Sequence, residues 1–190
     1  RSLPHELAHR WLAYVSFMDG TSKPLFNVYR HWNDFLDTNG SFMGIDWRDN
    51  GNGTYTSLDY VNRFSPLDQY LMGLIPPAEV PAFLLIENPS PNVWQPGITV
   101  SGTPKSVTLN QVIAAEGPRV PNSSSSQKNF RVAFILATQT GVEPDPSMIE
   151  AVDLARRRFM TQMVRLLGTK ASFNSQLQTG LPDLVGERPT

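Results

Sequence analysis

Five residues near the start of the chain, His5-Glu6-Leu7-Ala8-His9, have the types and spacing that metal-assisted hydrolysis requires. A helix turns once in about 3.6 residues. Two histidines four apart therefore stack on one face and can offer ring nitrogens to one cation at about 2.0–2.1 Å. Glu6 lies about 100° round the helix from His5, which carries its carboxylate toward a water on the cation and not to the cation itself. A divalent metal such as Zn²⁺ lowers the pKa of bound water from about 15.7 to about 7, and a neighbouring carboxylate then has only to take one proton and return it. Cleavage of a peptide bond is the reaction this set implies. The bland use of the same residues is a surface helix whose histidines make ordinary hydrogen bonds.

Further residues could complete such a site. His31, in the pair His31-Trp32, reads as a third metal ligand, as a donor to the oxyanion of a tetrahedral intermediate, or as a partly buried histidine bonded to backbone. Asp68, in Ser65-Pro66-Leu67-Asp68, reads as a third ligand or as the return half of a capping box, its carboxylate accepting the Ser65 N–H. Tyr70, two residues on, is a second candidate for the oxyanion.

The composition narrows the function classes. With 16 basic and 17 acidic residues the net charge is −1, so no electrostatic field argues for nucleic acid or an anionic membrane surface. Cysteine is absent, which excludes a disulfide framework and a thiolate site and leaves His, Asp and Glu to hold any metal. No apolar run approaches the roughly 18 residues of a membrane span, so the chain reads as a soluble protein. A length of 190 residues and 40% hydrophobic content suit one domain with a sizeable core.

The elements that must position these residues are partly legible. Ser2 reads as the cap of a first helix running to about Phe17, with Leu7, Trp11, Tyr14, Val15 and Met18 as its core stripe. Asn50-Gly51-Asn52-Gly53 predicts a hairpin turn between strands at 42–47 and 54–58; a calcium loop is the alternative, but its ligand spacing is not met. Ser65, Pro66 and Gly73 frame a two-turn helix. Strands are expected at 83–86, 98–100 and 105–109, then a short helix at 110–115 and a loose polar loop at 117–126. Phe130 to Thr138 reads as the best strand of the second half. A last helix starts at the box Ser147-Met148-Ile149-Glu150 and ends at Gly168, with Ile149, Val152, Phe159, Met163 and Leu166 inward. Arg156-Arg157-Arg158 reads as a solvated face with an Asp153–Arg157 pair.

On His5-Glu6-Leu7-Ala8-His9, His31-Trp32, Asp49 to Thr54 and Ser65-Pro66-Leu67-Asp68-Gln69-Tyr70-Leu71-Met72-Gly73-Leu74, the chain resembles the zincin class of zinc metallopeptidases. More narrowly, it is similar to bacterial secreted proteins with an H-E-L-x-H-R-W helix and a later S-P-L-D-x-Y-L-M-G-L segment. The likeness covers about the first 80 residues. Leu12 and Val15 stand where the metzincin pattern has Gly and His, and Glu79 sits in a proline-rich, poorly helical setting for the glutamate of a gluzincin. Asp68, with Tyr70 and Gly73, resembles in kind but not in spacing the aspartate segment of aspzincins.

The resemblance implies Zn²⁺ held by His5, His9 and Asp68, with His31 the runner-up, Glu6 as base, and Tyr70 or His31 at the oxyanion. The expected fold is α+β: a zincin-like core over residues 1–80, a small β-containing C-terminal half over 81–180 of the same domain closed by a long helix, and a tail at 181–190. Because the motif begins at the fifth residue, an N-terminal sheet, domain or propeptide is expected outside this fragment. A protein or peptide substrate and a secreted or extracytoplasmic location follow, with neither nucleic acid nor membrane as partner. The competing expectation is a non-catalytic, metal-stabilised adhesion or peptide-binding module.

Overall fold

Helix α1 (Leu3–Ala8) carries the motif as far as Ala8, leaves His9 in the turn that follows, and has six described residues. The structure, a computed structural model, describes residues 3–24, 27–28, 30–40, 43–59 and 63–176; the expected Ser2 cap and the tail lie outside them. The helix stops far short of Phe17. The N–H groups of Arg10 and Trp11 bond three residues back, to Leu7 and Ala8, and Ala13 adopts a left-handed φ of 65°, which an L-residue helix cannot propagate. The expected stripe is therefore not the buried one. Leu12, Ala13, Ser16 and Phe17 face inward, while Tyr14 is 49% exposed.

What overrides the helical periodicity is a set of ties to helix α3, Leu109–Glu116. Met18 N–H donates to the Gln111 carbonyl, the Gln111 amide returns a bond to the Met18 carbonyl, and Ser16 N–H donates to Glu116 Oε1 at 2.9 Å. Burial alone would raise the Glu116 carboxyl; the Ser16 bonds and Lys23 outweigh it and hold the group below its usual value. The segment after α1 thus follows long-range partners that its own spacing does not reveal.

The rest of the first unit is built on an antiparallel sheet. Its strands are β3 (Leu36–Asp37), β4 (Trp47–Asp49), β5 (Thr54–Ser57), β6 (Phe83–Ser90) and β7 (Thr99–Val107), in spatial order β3-β6-β7-β5-β4. The expected hairpin turn is present, with Trp47 opposite Ser57 and Asp49 opposite Tyr55, but its first strand is not the expected 42–47: it starts at Trp47 and takes in Arg48 and Asp49, while Phe42 lies outside the described residues. Asp49 accepts the Gly51 N–H and Asn50 donates to Thr54 and Thr56, so these polar groups close the turn. The strand segments expected at 98–100 and 105–109 are one strand, because β6 pairs with β7 along nearly its whole length. Phe35, Ile45, Trp47, Tyr55, Ile86 and Val100 form a core on this sheet. A separate two-stranded hairpin joins β1 (Asn27–Val28) to β2 (His31–Trp32), with Val28 opposite His31 and Arg30 at φ 67° in its turn.

Helix α2 (Pro66–Leu71) forms as its caps predict, with Ser65 as N-cap, Pro66 in the first turn and Gly73 at φ 77° past its end. The 117–126 loop is not loose. Arg119 donates to the carbonyls of Leu71, Met72 and Pro121 and to Ser126 Oγ, and its backbone N–H donates to the Tyr70 hydroxyl. These bonds answer the orphan carbonyls at the C-terminal end of α2 with a positive charge.

Two compact units emerge, Arg1–Ser126 and Gln127–Thr190. One sheet of the first unites strands from both sides of residue 80. In the second unit, α4 (Pro146–Leu167) is capped by Asp145 and not by Ser147, whose N–H Asp145 accepts. Pro146 explains the shift, since it sets the first helical turn without needing a donor. Phe159, Met163 and Leu167 are its buried residues, whereas Ile149 is 52% exposed. Asp153 pairs with Arg157 as expected and also with Arg156. The strand expected over 130–138 shrinks to β8 (Asn129–Arg131), because its parallel partner β9 (Ser172–Asn174) is itself three residues long. The chain is thus a mixed helix and sheet protein of α+β type, and no described helix is long and apolar enough to cross a membrane.

Candidate metal centre

Three imidazoles meet in the first unit. His5 and His9 come from α1 and the turn that follows it, and His31 comes from β2, 26 residues on. The ring centroids form a nearly equilateral triangle: 5.1 Å from His5 to His9, 5.2 Å from His5 to His31, and 5.1 Å from His9 to His31. His5 Nε2 and His31 Nε2 are 3.2 Å apart, and one ring nitrogen from each of the three lies within 4.8 Å of the others. His5 is buried, and His9 and His31 are half-buried.

These distances suit a shared cation. Two ligand nitrogens at about 2.05 Å from a tetrahedral metal lie about 3.3 Å from each other, and imidazole centroids then fall about 5.2 Å apart. His5–His9 and His9–His31 meet edge-to-face at interplanar angles of 85° and 76°, and His5 and His31 are tilted by 32°. Packing gives edge-to-face pairs as well, so it is the approach of one nitrogen from each ring that points to a cation.

The other expected site residues are distributed differently. Glu6 is exposed on α1, one position from His5, as the motif demands of a base that reaches outward. Asp68 is not part of the histidine group. It is fully buried, with Oδ2 accepting the Ser65 N–H at 2.9 Å and Oδ1 accepting Trp32 Nε1 at 2.9 Å. Ser65 Oγ accepts the Asp68 N–H at 3.1 Å, so the capping box is complete. The structure therefore brings His31, the runner-up, to the two helix histidines, while Asp68 serves helix α2 and Trp32. Tyr70 is buried on the opposite end of α2's turn, its hydroxyl accepting the Arg119 N–H at 3.1 Å.

No family model, no curated protein and no solved structure matches this chain. The site consequently has to be judged on its own geometry.

Trp32 links the His31 strand to Asp68, a connection the sequence does not display. It is 1% exposed, its backbone N–H donates to the Met43 carbonyl at 2.8 Å, and a Cβ on Gly44 would touch its side chain at 3.3 Å. The available signal was its adjacency to His31, but a bond to a carboxylate 36 residues away has no local signature. Asp34, on the same stretch, is held above its usual carboxylate value by burial, with His31 pulling the other way.

Proposed function

We propose that the chain is a zincin-like, zinc-dependent peptidase whose metal ligands are His5, His9 and His31 and whose general base is Glu6. The observation that carries this reading is the near-equilateral histidine triangle with a glutamate one residue from its first corner. A bound divalent cation supplies Lewis acidity, lowering the pKa of water from about 15.7 to about 7 and polarising a carbonyl oxygen. Three neutral imidazoles hold the ion's charge in place without cancelling it, which preserves that acidity.

The chain's own residues account for the proton movements. Glu6 takes the proton of the attacking water as the new C–O bond forms at the scissile carbonyl, and hands it to the departing amine as the C–N bond breaks. Its exposure lets it face a substrate, whereas burial of His5 keeps that ligand in one orientation. The substrate is a protein or peptide, and a secreted or extracytoplasmic location agrees with that use.

A second reading, a non-catalytic metal-stabilised binding module, draws support from the brevity of the elements involved. A six-residue helix and a two-residue strand are marginal alone, and an ion shared between them would fasten the fold.

One experiment separates the readings. Metal content of the purified chain is measured beside hydrolysis of casein, for the native protein and for Glu6→Gln. Retention of zinc with an activity loss of about 10²–10⁴-fold in Glu6→Gln supports the peptidase. Zinc uptake without hydrolysis by the native chain supports the binding module, and absence of zinc uptake removes both.

A further inference from the structure

Asp68 poses a problem that its capping role does not solve. A six-residue helix needs one carboxylate oxygen to close its box, and that duty is normally met at the surface by Glu or Gln. Here the carboxylate is 0% exposed, an unfavourable place for a charge unless other donors reward it. The second oxygen receives the indole N–H of Trp32, the residue that follows His31 in β2. A hydrogen bond to an ionised acceptor is roughly twice as strong as one between neutral groups.

Building on the metal reading above, we infer that Asp68 is a positioning residue for the metal centre, acting through Trp32 to fix the direction of the His31 imidazole. Successive side chains of a strand project to opposite faces. Pinning the indole on one face of β2 therefore fixes the imidazole on the other. The backbone at the same residue is held as well, by the Trp32 N–H bond to Met43, and Gly44 leaves just enough room for the indole. Among the described residues, strand β2 has two residues and one partner strand, too little ladder to resist rotation about its own axis. A metal ligand must hold its distance to about 0.2 Å, a demand such a strand cannot meet unaided. Helix α2 supplies the missing rigidity. It is framed by Ser65 and Gly73 and gripped at its far end by Arg119 on the Leu71 and Met72 carbonyls, so Asp68 rests on a fixed platform. The Ser65 to Leu74 segment thereby acquires a role at the site although it contributes no member of the histidine group.

The test uses the full chain with cobalt(II) as the probe. Affinity, the visible spectrum at saturation and the melting temperature are compared for the native protein, Trp32→Phe, Asp68→Asn, the double variant and Val100→Ala. Trp32→Phe and Asp68→Asn are each expected to weaken cobalt binding by about 10–100-fold, as loss of a bond behind a ligand does. The double variant should bind no more weakly than the worse single one, because both changes break the same link. The saturated spectrum should be unaltered in all, since the ligand atoms are the same. Val100→Ala, which opens the sheet core and touches no member of the Asp68–Trp32 link, should lower the melting temperature while leaving affinity intact.

Native-like affinity in both single variants, or losses that add in the double one, would overturn the inference while leaving the metal reading standing. A saturated spectrum changed by Asp68→Asn alone would overturn it by making Asp68 a ligand. Failure of the native chain to bind cobalt would remove the metal reading and this inference together. If Asp68→Asn does not fold, Trp32→Phe against Val100→Ala still decides between positioning and mere stability.

Discussion

At the scale of single residues, the three histidines reach one another by two routes, a local turn and a long-range contact. His5, Glu6 and His9 owe their relation to one helical turn, which spacing alone prescribes. The third histidine comes from a strand 26 residues away, and nothing in the linear pattern separates it from Asp68, a residue of suitable chemistry in a suitable segment. The proposed ligand set makes His31→Ala the sharpest residue-level prediction. It should weaken zinc binding by more than the roughly 100-fold that loss of an outer hydrogen bond produces. Equilibrium dialysis of the variant measures this, and native-like uptake would mean that another group completes the shell. Asp46 provides a prediction about pH. Burial raises its carboxyl above the ordinary value of 3.8, against the opposing pull of the Gly40 N–H and Arg63. The folded state therefore holds this proton more tightly than the unfolded one. Its contribution to stability is present below 3.8 and lost as pH rises through the folded value. Asp46→Asn does not titrate, so its urea stability relative to the native chain should improve between about pH 3 and about pH 7. A flat difference would mean that the donors compensate the buried charge in full.

At the scale of elements, the contrast between α1 and α2 explains which predictions held. Helix α2 is specified by its own ends: Ser65, Pro66 and Gly73 act within a few residues, and the helix observed is the one they predict. Helix α1 is not, because the residues after Ala8 satisfy their backbone through α3, a hundred positions later. Periodicity at Leu7, Trp11, Tyr14, Val15 and Met18 is thus real in the sequence and unused in the fold. The same distinction separates the hairpin at Asn50 to Gly53, whose turn is local, from the 130–138 stretch, whose length as a strand depended on a partner only three residues long. Gly73 tests how firmly the α2 end is held. Its φ of 77° already disfavours any other residue by about 1–2 kcal/mol, and a Cβ there would lie 2.7 Å from Arg119 Cζ and closer still to Ser126 Oγ. Gly73→Ala should therefore lose more than about 2 kcal/mol in urea unfolding. A loss below about 1 kcal/mol would show that Arg119 and Ser126 move aside freely.

At the scale of the whole molecule, the chain comprises two compact units, and the histidine cluster belongs wholly to the first. The second unit is organised round Phe159, which is 2% exposed and meets Phe134 and Phe173 edge-on at 5.7 and 5.9 Å, while Phe173 stacks on Phe130 at 5.1 Å. Composition and periodicity identified Phe159 and Met163 as inward residues of α4, but could not show that they belong to a second unit, since hydrophobic content along the chain carries no mark of which residues pack together. The division into two units makes a specific expectation about coupling. Phe159→Ala removes the central ring of the second unit, and truncations of this kind typically destabilise by about 3–5 kcal/mol. Loss of stability in one unit is transmitted to the other only through whatever interaction free energy joins them. The variant should thus show an early unfolding transition in calorimetry while zinc affinity, measured below that transition, stays at the native value. Affinity that falls in step with the loss of stability would show instead that the metal centre draws on the second unit, and that the two fold as one cooperative body.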